Sequence, residues 1–154
     1  VDSMKGKNIT ILLIDDNPLI MDLNRRVLTE CGYKVLEAET LSEGRVLFEN
    51  ETPDLIIMEV NLPDGSGLDF CKELRSHSET PVIFVSTLGT ADDEVAGFEA
   101  GCNGYIPKPY KPHMLVVRME ALLRFLKRRE SIALERAWEA ARQNRDIEEN
   151  GNAL

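Results

Sequence analysis

Ile9-Thr-Ile-Leu-Leu-Ile-Asp-Asp-Asn-Pro18 opens the patterned part of the chain. Its continuous apolar run is what a strand needs when both of its faces are covered. The run stops at Asp15 and Asp16. Asn17 is then a helix N-cap, and Pro18 takes the first helical position, where a missing N–H loses no bond. Ile20, Leu23, Val27 and Leu28 recur at helical spacing, and Gly32 ends the segment. A buried strand turned into an amphipathic helix is the first half of a βαβ unit.

The same alternation repeats along the chain. Residues 33–36 read as a second short strand, followed by a helix over 42–50 with Ser42 as cap and Val46, Leu47 and Phe48 on its apolar side. Pro53 opens a third strand, Asp54-Leu-Ile-Ile-Met-Glu59. A Pro/Gly-rich turn over 62–67 leads into a helix to about Ser76. Thr80-Pro81 introduces a fourth strand over 82–86, residues 92–100 form a fourth helix closed by Gly101, and 104–107 is a very short fifth strand. Pro112 starts the last helix. Five strands alternating with five helices predict a parallel sheet with helices on both faces. Right-handed crossovers favour the α/β, flavodoxin-like (βα)5 doubly wound order 2-1-3-4-5, here with an extended C-terminal helix.

Length and composition agree. The 154 residues suit one principal domain, which at this size buries enough surface to fold without disulfides or a structural metal. No apolar run approaches the roughly 20 residues that span a bilayer, and residues 1–7 lack a signal-peptide pattern. Val1-Asp2-Ser3 ahead of Met4 reads as a tag remnant, so residues 1–7 are expected to be a lead. Cys31, Cys71 and Cys102 have no paired or CxxC spacing and read as reduced packing residues, which places the protein in the cytoplasm. His77 and His113 read as surface polar residues. Net charge is −9. Residues 127–154 hold six basic and six acidic side chains, so the whole excess lies in 1–126. That distribution opposes direct nucleic-acid binding, which needs a basic face.

In an open parallel sheet ligands sit beyond the carboxyl ends of the strands, at the switch point between the first and third. Asp15, Asp16 and Glu59 end those strands. Three carboxylates converging there need a neutralising cation, and an all-oxygen set suits Mg²⁺ holding several waters. The plain alternative is three separate solvated loop residues. Ser86 at the end of strand four and Lys108 after strand five tilt the balance, since a hydroxyl and an ammonium at the same edge are what a phosphoryl oxygen needs.

Together, Ile14-Asp15-Asp16-Asn17-Pro18, Asp54-Leu-Ile-Ile-Met-Glu59-Val-Asn-Leu-Pro63 with Gly65 and Gly67, Ser86-Thr87 and Tyr105-Ile-Pro-Lys108-Pro109 resemble the receiver domains of bacterial response regulators, over residues 8 to about 128. The resemblance implies that Asp16 binds Mg²⁺ directly and Asp15 partly through water, with Glu59 and the backbone carbonyl of Asn61 completing the set. It makes position 59 the phospho-acceptor, Ser86 the hydroxyl that swings toward the phosphoryl group, Lys108 the lysine that pairs with it, and Tyr105 the aromatic switch whose ring turns inward on activation. A sensor histidine kinase or phosphotransfer protein would be the donor. Catalysis, confined to the receiver's own phosphorylation and dephosphorylation, would rest on positioning and electrostatics. The switch would be a two-state shift around the fourth helix and fifth strand.

Glu59 departs from that pattern, which has aspartate there. One more methylene moves the carboxylate roughly 1.5 Å further into the pocket, toward Ser86 and Lys108. A misplacement of about 1 Å can cost on the order of 100-fold in a positioned reaction, so phosphoryl acceptance is expected to be lost. Three readings of Glu59 stay open: a substitution made to imitate activation, a natural receiver that is not phosphorylated, and a true glutamate acceptor. Two other functions compete with the receiver switch, an Mg²⁺-dependent phosphohydrolase and a metal-independent pseudo-receiver that only binds partners.

The last helix does not stop where a receiver would. Leu115, Met119, Leu122 and Leu126 continue a helical stripe, and helix formers dominate to about Ile147. Residues 129–154 are expected to be a helical extension or linker with a frayed end. Ile132, Leu134, Ala137, Trp138 and Ala141 make a seam too short and irregular to read as a coiled coil. The extension folds back, frays, or leads to a downstream effector or a missing output domain. A homodimer would use the face between the fourth and fifth helices, or this C-terminal helix.

Overall fold

The computed structural model describes residues 8–152; the expected lead over 1–7 lies outside them. The elements in chain order are β1 (Thr10–Ile14), α1 (Pro18–Glu30), β2 (Lys34–Ala38), α2 (Leu41–Glu51), β3 (Leu55–Met58), β4 (Asn61–Leu62), β5 (Gly65–Ser66), α3 (Gly67–Arg75), β6 (Val82–Ser86), α4 (Ala91–Glu99), β7 (Gly104–Pro107) and α5 (Pro112–Asn152). A five-stranded parallel sheet runs β2-β1-β3-β6-β7, and β4 and β5 form a separate two-stranded hairpin. Counting only the strands of the main sheet, this is the expected order 2-1-3-4-5. No helix among the described residues is long and apolar enough to cross a membrane.

The apolar strands place the core. Leu12, Ile14, Ile56, Met58 and Phe84 point to one face, where they pack with Leu41, Phe70 and Leu74 from α2 and α3. The alternating residues Ile11, Leu13, Ile57 and Ile83 are equally buried, so the opposite face is covered too. This explains why β1, β3 and β6 read as runs without alternation.

Several local expectations need correction. Thr40, not Ser42, caps α2, its side chain accepting from the Glu43 amide, while Ser42 lies inside the helix. Val46 is 55% exposed, and Leu41 and Gly44 are the buried positions. A hypothetical Cβ on Gly44 would lie 2.5 Å from Ile14 Cδ1, so α2 rests on β1 where it has no side chain. In α1 the buried residues are Met21, Asn24 and Leu28, while Leu23 is exposed. The stripe is thus rotated by about one residue from the apolar set, because a polar residue, Asn24, is taken inside. The turn over 62–67 overlaps the β4–β5 hairpin, which begins at Asn61, with Ser66 capping α3.

The chain divides into two compact units, the break falling between Arg118 and Met119. The first carries the sheet and its helices. The second is helical to Asn152, and every residue from 127 to 151 is exposed.

Gly67 fixes the approach of α3 to the edge of β3. Its amide donates to Val60 O at 2.6 Å, and a Cβ there would lie 2.6 Å from Glu59 O and 3.1 Å from the Phe84 ring. Since the nearest obstacle is backbone, Gly67→Ala is expected to destabilise the protein by about 2 kcal/mol, measured by urea unfolding. An unchanged midpoint would show that the segment after Glu59 can move aside.

Candidate functional site

Four strands deliver the site. The Asp15 amide donates to Ala38 O and the Glu59 amide to Ile14 O, which extends the β1 and β3 ladders by one residue each. Ser86 ends β6, and the Lys108 amide donates to Ser86 O at 2.7 Å. Parallel register therefore brings Asp15, Glu59, Ser86 and Lys108 to one edge although 93 positions separate the first from the last.

Lys108 is the hub. Its ammonium donates to Asp15 Oδ2 at 2.8 Å and to Glu59 Oε1 at 3.1 Å, with all three side chains no more than 9% exposed. The remaining carboxylate oxygens are also engaged: Asp15 Oδ1 accepts from the Asn17 amide at 2.9 Å, and Glu59 Oε2 from the Val60 amide at 2.6 Å. Burial pulls the Lys108 pKa down, but bonds and charge from Asp15, then Glu59, outweigh it and raise the value above its ordinary 10.5.

Asp16 is exposed and forms no hydrogen bond or ion pair among the described residues. It lines, with Asp15, Glu59, Thr87 and Lys108, a cavity of about 580 Å³. The three carboxylates therefore share one cavity with unequal parts: two are bridged by the ammonium and the third stands at the rim. Among the described residues no three acidic, histidine or cysteine side chains are grouped so as to hold a metal ion by themselves.

Ser86 and Tyr105 form the other half of the site. Ser86 is fully buried, its Oγ accepting from the Leu88 amide at 3.1 Å. Tyr105 is 4% exposed and faces inward, its hydroxyl donating to Leu88 O, with its ring 6.1 Å from that of Phe84. Burial pushes the Tyr105 pKa up, and the Ser86 hydroxyl bonded beside it opposes the rise. The longer Glu59 side chain reaches Lys108 as expected but makes no bond to Ser86. Its second oxygen folds back onto the Val60 amide, a donor that needs no side-chain movement. Asn61, whose carbonyl was expected at the metal, is exposed on β4.

Three contributors escaped the sequence reading. Thr87 lines the cavity although only its neighbour Ser86 was assigned a role. Asp64 accepts from the Leu41 and Ser42 amides at 2.8 and 3.0 Å, tying the loop after Glu59 to the start of α2, and these bonds hold its pKa below the usual 3.8. Asn24 and Tyr110 exchange hydrogen bonds of 2.8 and 3.0 Å, which fastens the segment after Lys108 to α1. Polar Asn24 within an apolar helical stripe was the available signal.

The site lies at the carboxyl edge of a doubly wound α/β sheet, where two buried acids, an ammonium and a hydroxyl come together. The family model of the response regulator receiver domain matches residues 11–120, and the chain belongs to that family. It is 34% identical over 121 residues to a probable transcriptional regulator, ycf27, of Porphyra purpurea, covering 79% of this chain and 50% of that protein. It is 37% identical over 114 residues to the KDP operon transcriptional regulatory protein KdpE of Escherichia coli (strain K12), covering 74% and 51% respectively. Among solved structures, a putative response regulator from Chloroflexus aurantiacus J-10-fl superposes with a TM-score of 0.72 at 33% identity, covering 76% of this chain and 98% of that one. The chain spans about half the length of the curated relatives it matches. It carries a receiver domain of two-component signalling.

Removing the hub should leave two largely buried acids facing each other without their cation. Lys108→Met is expected to cost about 3 kcal/mol at neutral pH. In the unmodified chain the raised Lys108 pKa contributes stability that is complete below 10.5 and is lost as pH climbs through the folded-state value. Urea unfolding from neutral to strongly alkaline pH should show this alkaline loss in the parent and a smaller one in Lys108→Met. Equal stability of the two at neutral pH would disprove the hub.

Proposed function

We propose that this receiver works as a conformational switch whose acceptor position is held by Glu59, so that its signalling state is set without phosphorylation. The observation that carries the reading is the bond of Glu59 Oε1 to Lys108 Nζ at 3.1 Å, which places a fixed negative charge on the residue that would pair with a phosphoryl group. The buried Tyr105 supports it, since the inward ring is the activated arrangement in the family reading. Mimicry is partial. A carboxylate brings one charge and two oxygens, against roughly −1.5 to −2 and three oxygens for a phosphate ester, and Ser86 stays bonded to Leu88 rather than to the acid.

Mg²⁺ fits the residues present if it keeps most of its water. Three carboxylates against one ammonium leave a double negative formal charge, and the rim acid Asp16 has free oxygens. Asp15, Asp16, Glu59 and the Asn61 carbonyl would hold the ion, which would supply neutralisation of charge at the acceptor position. Asp15 fixes the Lys108 ammonium, and Asn17 fixes Asp15. A histidine kinase or phosphotransfer protein is the upstream partner in this reading, and an effector or output domain beyond residue 129 the downstream one. The ammonium bridge also favours a second reading, a pseudo-receiver in which Lys108 makes the metal dispensable.

Two measurements bear on these readings. Acetyl phosphate with Mg²⁺ is expected to leave the chain unlabelled, while Glu59→Asp gains the mass of one phosphoryl group; an adduct mapped to Glu59 in the parent would overturn the proposal. Mg²⁺ titration followed by tyrosine fluorescence should give a saturating change that Asp16→Asn weakens. A flat titration in both proteins would favour the pseudo-receiver.

A further inference from the structure

We propose that the helical extension is a self-association element, taking as its occupant a second copy of the same segment in antiparallel orientation. The inference does not depend on the reading of the receiver site.

Its first support is a regular seam. Leu126, Glu130, Ala133, Ala137, Ala140, Asn144 and Ile147 alternate spacings of four and three, which places them along one side of the helix. The centre of that line is alanine at three consecutive positions, small enough for a second backbone to come close. Trp138 and Leu134, both 60% exposed, flank it. A helix lacking buried contacts has only propensity and local pairs to hold it, and every residue from 127 to 151 is exposed.

The second support is charge order. Arg124, Lys127, Arg128 and Arg129 form a basic block, and Asp146, Glu148 and Glu149 an acidic one. Lys127 and Glu148 lie about 32 Å apart along the helix at 1.5 Å per residue, several times the Debye length of about 8 Å. The blocks of one copy therefore cannot neutralise each other. None of the charged side chains in 124–149 forms an ion pair among the described residues.

Orientation follows from that order. A parallel pair would set basic block on basic block and acidic on acidic. An antiparallel pair centred between Ala137 and Trp138 brings Lys127 level with Glu148 of the second copy, Glu130 with Arg145, and Arg136 with Glu139. Every one of these is a pair of opposite charges. Complementary charge of this kind selects register and orientation more than it adds affinity, and the alanine seam supplies the close contact.

The test uses the full chain in sedimentation equilibrium. The parent is expected to dimerise. Reversal of the basic block (K127E/R128E/R129E) or of the acidic block (D146K/E148K/E149K) should weaken the dimer on the order of tenfold or more. The six-fold swap should restore it, and so should an equimolar mixture of the two single-block variants. All these positions are exposed, and circular dichroism checks that each variant keeps its helix. Orientation is read in a Cys31→Ser background, where copies carrying K127C mixed with copies carrying E148C should form the mixed disulfide. A parent that stays monomeric, a dimer indifferent to the reversals, or a disulfide between two copies of K127C would each overturn the proposal.

Discussion

The ammonium of Lys108 held between Asp15 and Glu59 constrains everything around it. Two largely buried carboxylates repel, and an isolated buried charge costs far more than folding can absorb. The cation must therefore arrive at a point that both acids share. Only the parallel register achieves this: Ile14 sits beside Met58 and Ser86 beside Pro107, so the next residue on each strand emerges at the same edge. The sheet order, the short β7 and the anchoring of the segment after Lys108 through Tyr110 and Asn24 all serve that convergence.

Glu59 completes the bridge and at the same time divides the site. Its Oε1 satisfies the ammonium, and its Oε2 turns back onto the Val60 amide. Ser86, Leu88 and Tyr105 form a second hydrogen-bonded chain that no direct bond joins to the acids. A third phosphoryl oxygen is what would connect the two halves, and a carboxylate has none to offer. The chain thus combines an ion-paired acceptor position with an inward aromatic, two features coupled only through packing.

How much of this could be read from residues depended on whether the controlling force was local. Continuous apolar runs identified β1, β3 and β6 because a two-faced strand has no polar positions to spare. Pro18 after Asn17 fixed the start of α1 through cap chemistry alone. The dispersed acids, Ser86 and Lys108 could be singled out because each ends or follows a strand, and strand ends are visible in the pattern; Tyr105, inside β7, came only from the family resemblance. What failed was long-range. Nothing near Ser42 discloses that Thr40 takes the cap while Asp64, over twenty positions later, binds the first amides of α2. Asn24 finds its partner, Tyr110, only 86 positions later. Nor does spacing tell that Asp16 stays at the rim while Asp15 is bridged, since the choice is made by one lysine about 90 positions away.

Charge shows the same limit of counting. A net of −9 confined to residues 1–126 placed the acidic excess in the receiver, yet the neutral sum over 127–154 concealed an ordered arrangement. Six positive and six negative groups scattered at random would present an almost featureless surface beyond one Debye length. Three of the basic groups are gathered at 127–129 and three of the acidic at 146–149, some 30 Å apart, so the helix presents two unlike ends while its remaining charges, of both signs, lie between them. Sums decide solubility and gross preference; order along the helix decides which way round a neighbour can lie. The tail's information is therefore held in sequence position, as the site's is held in strand register.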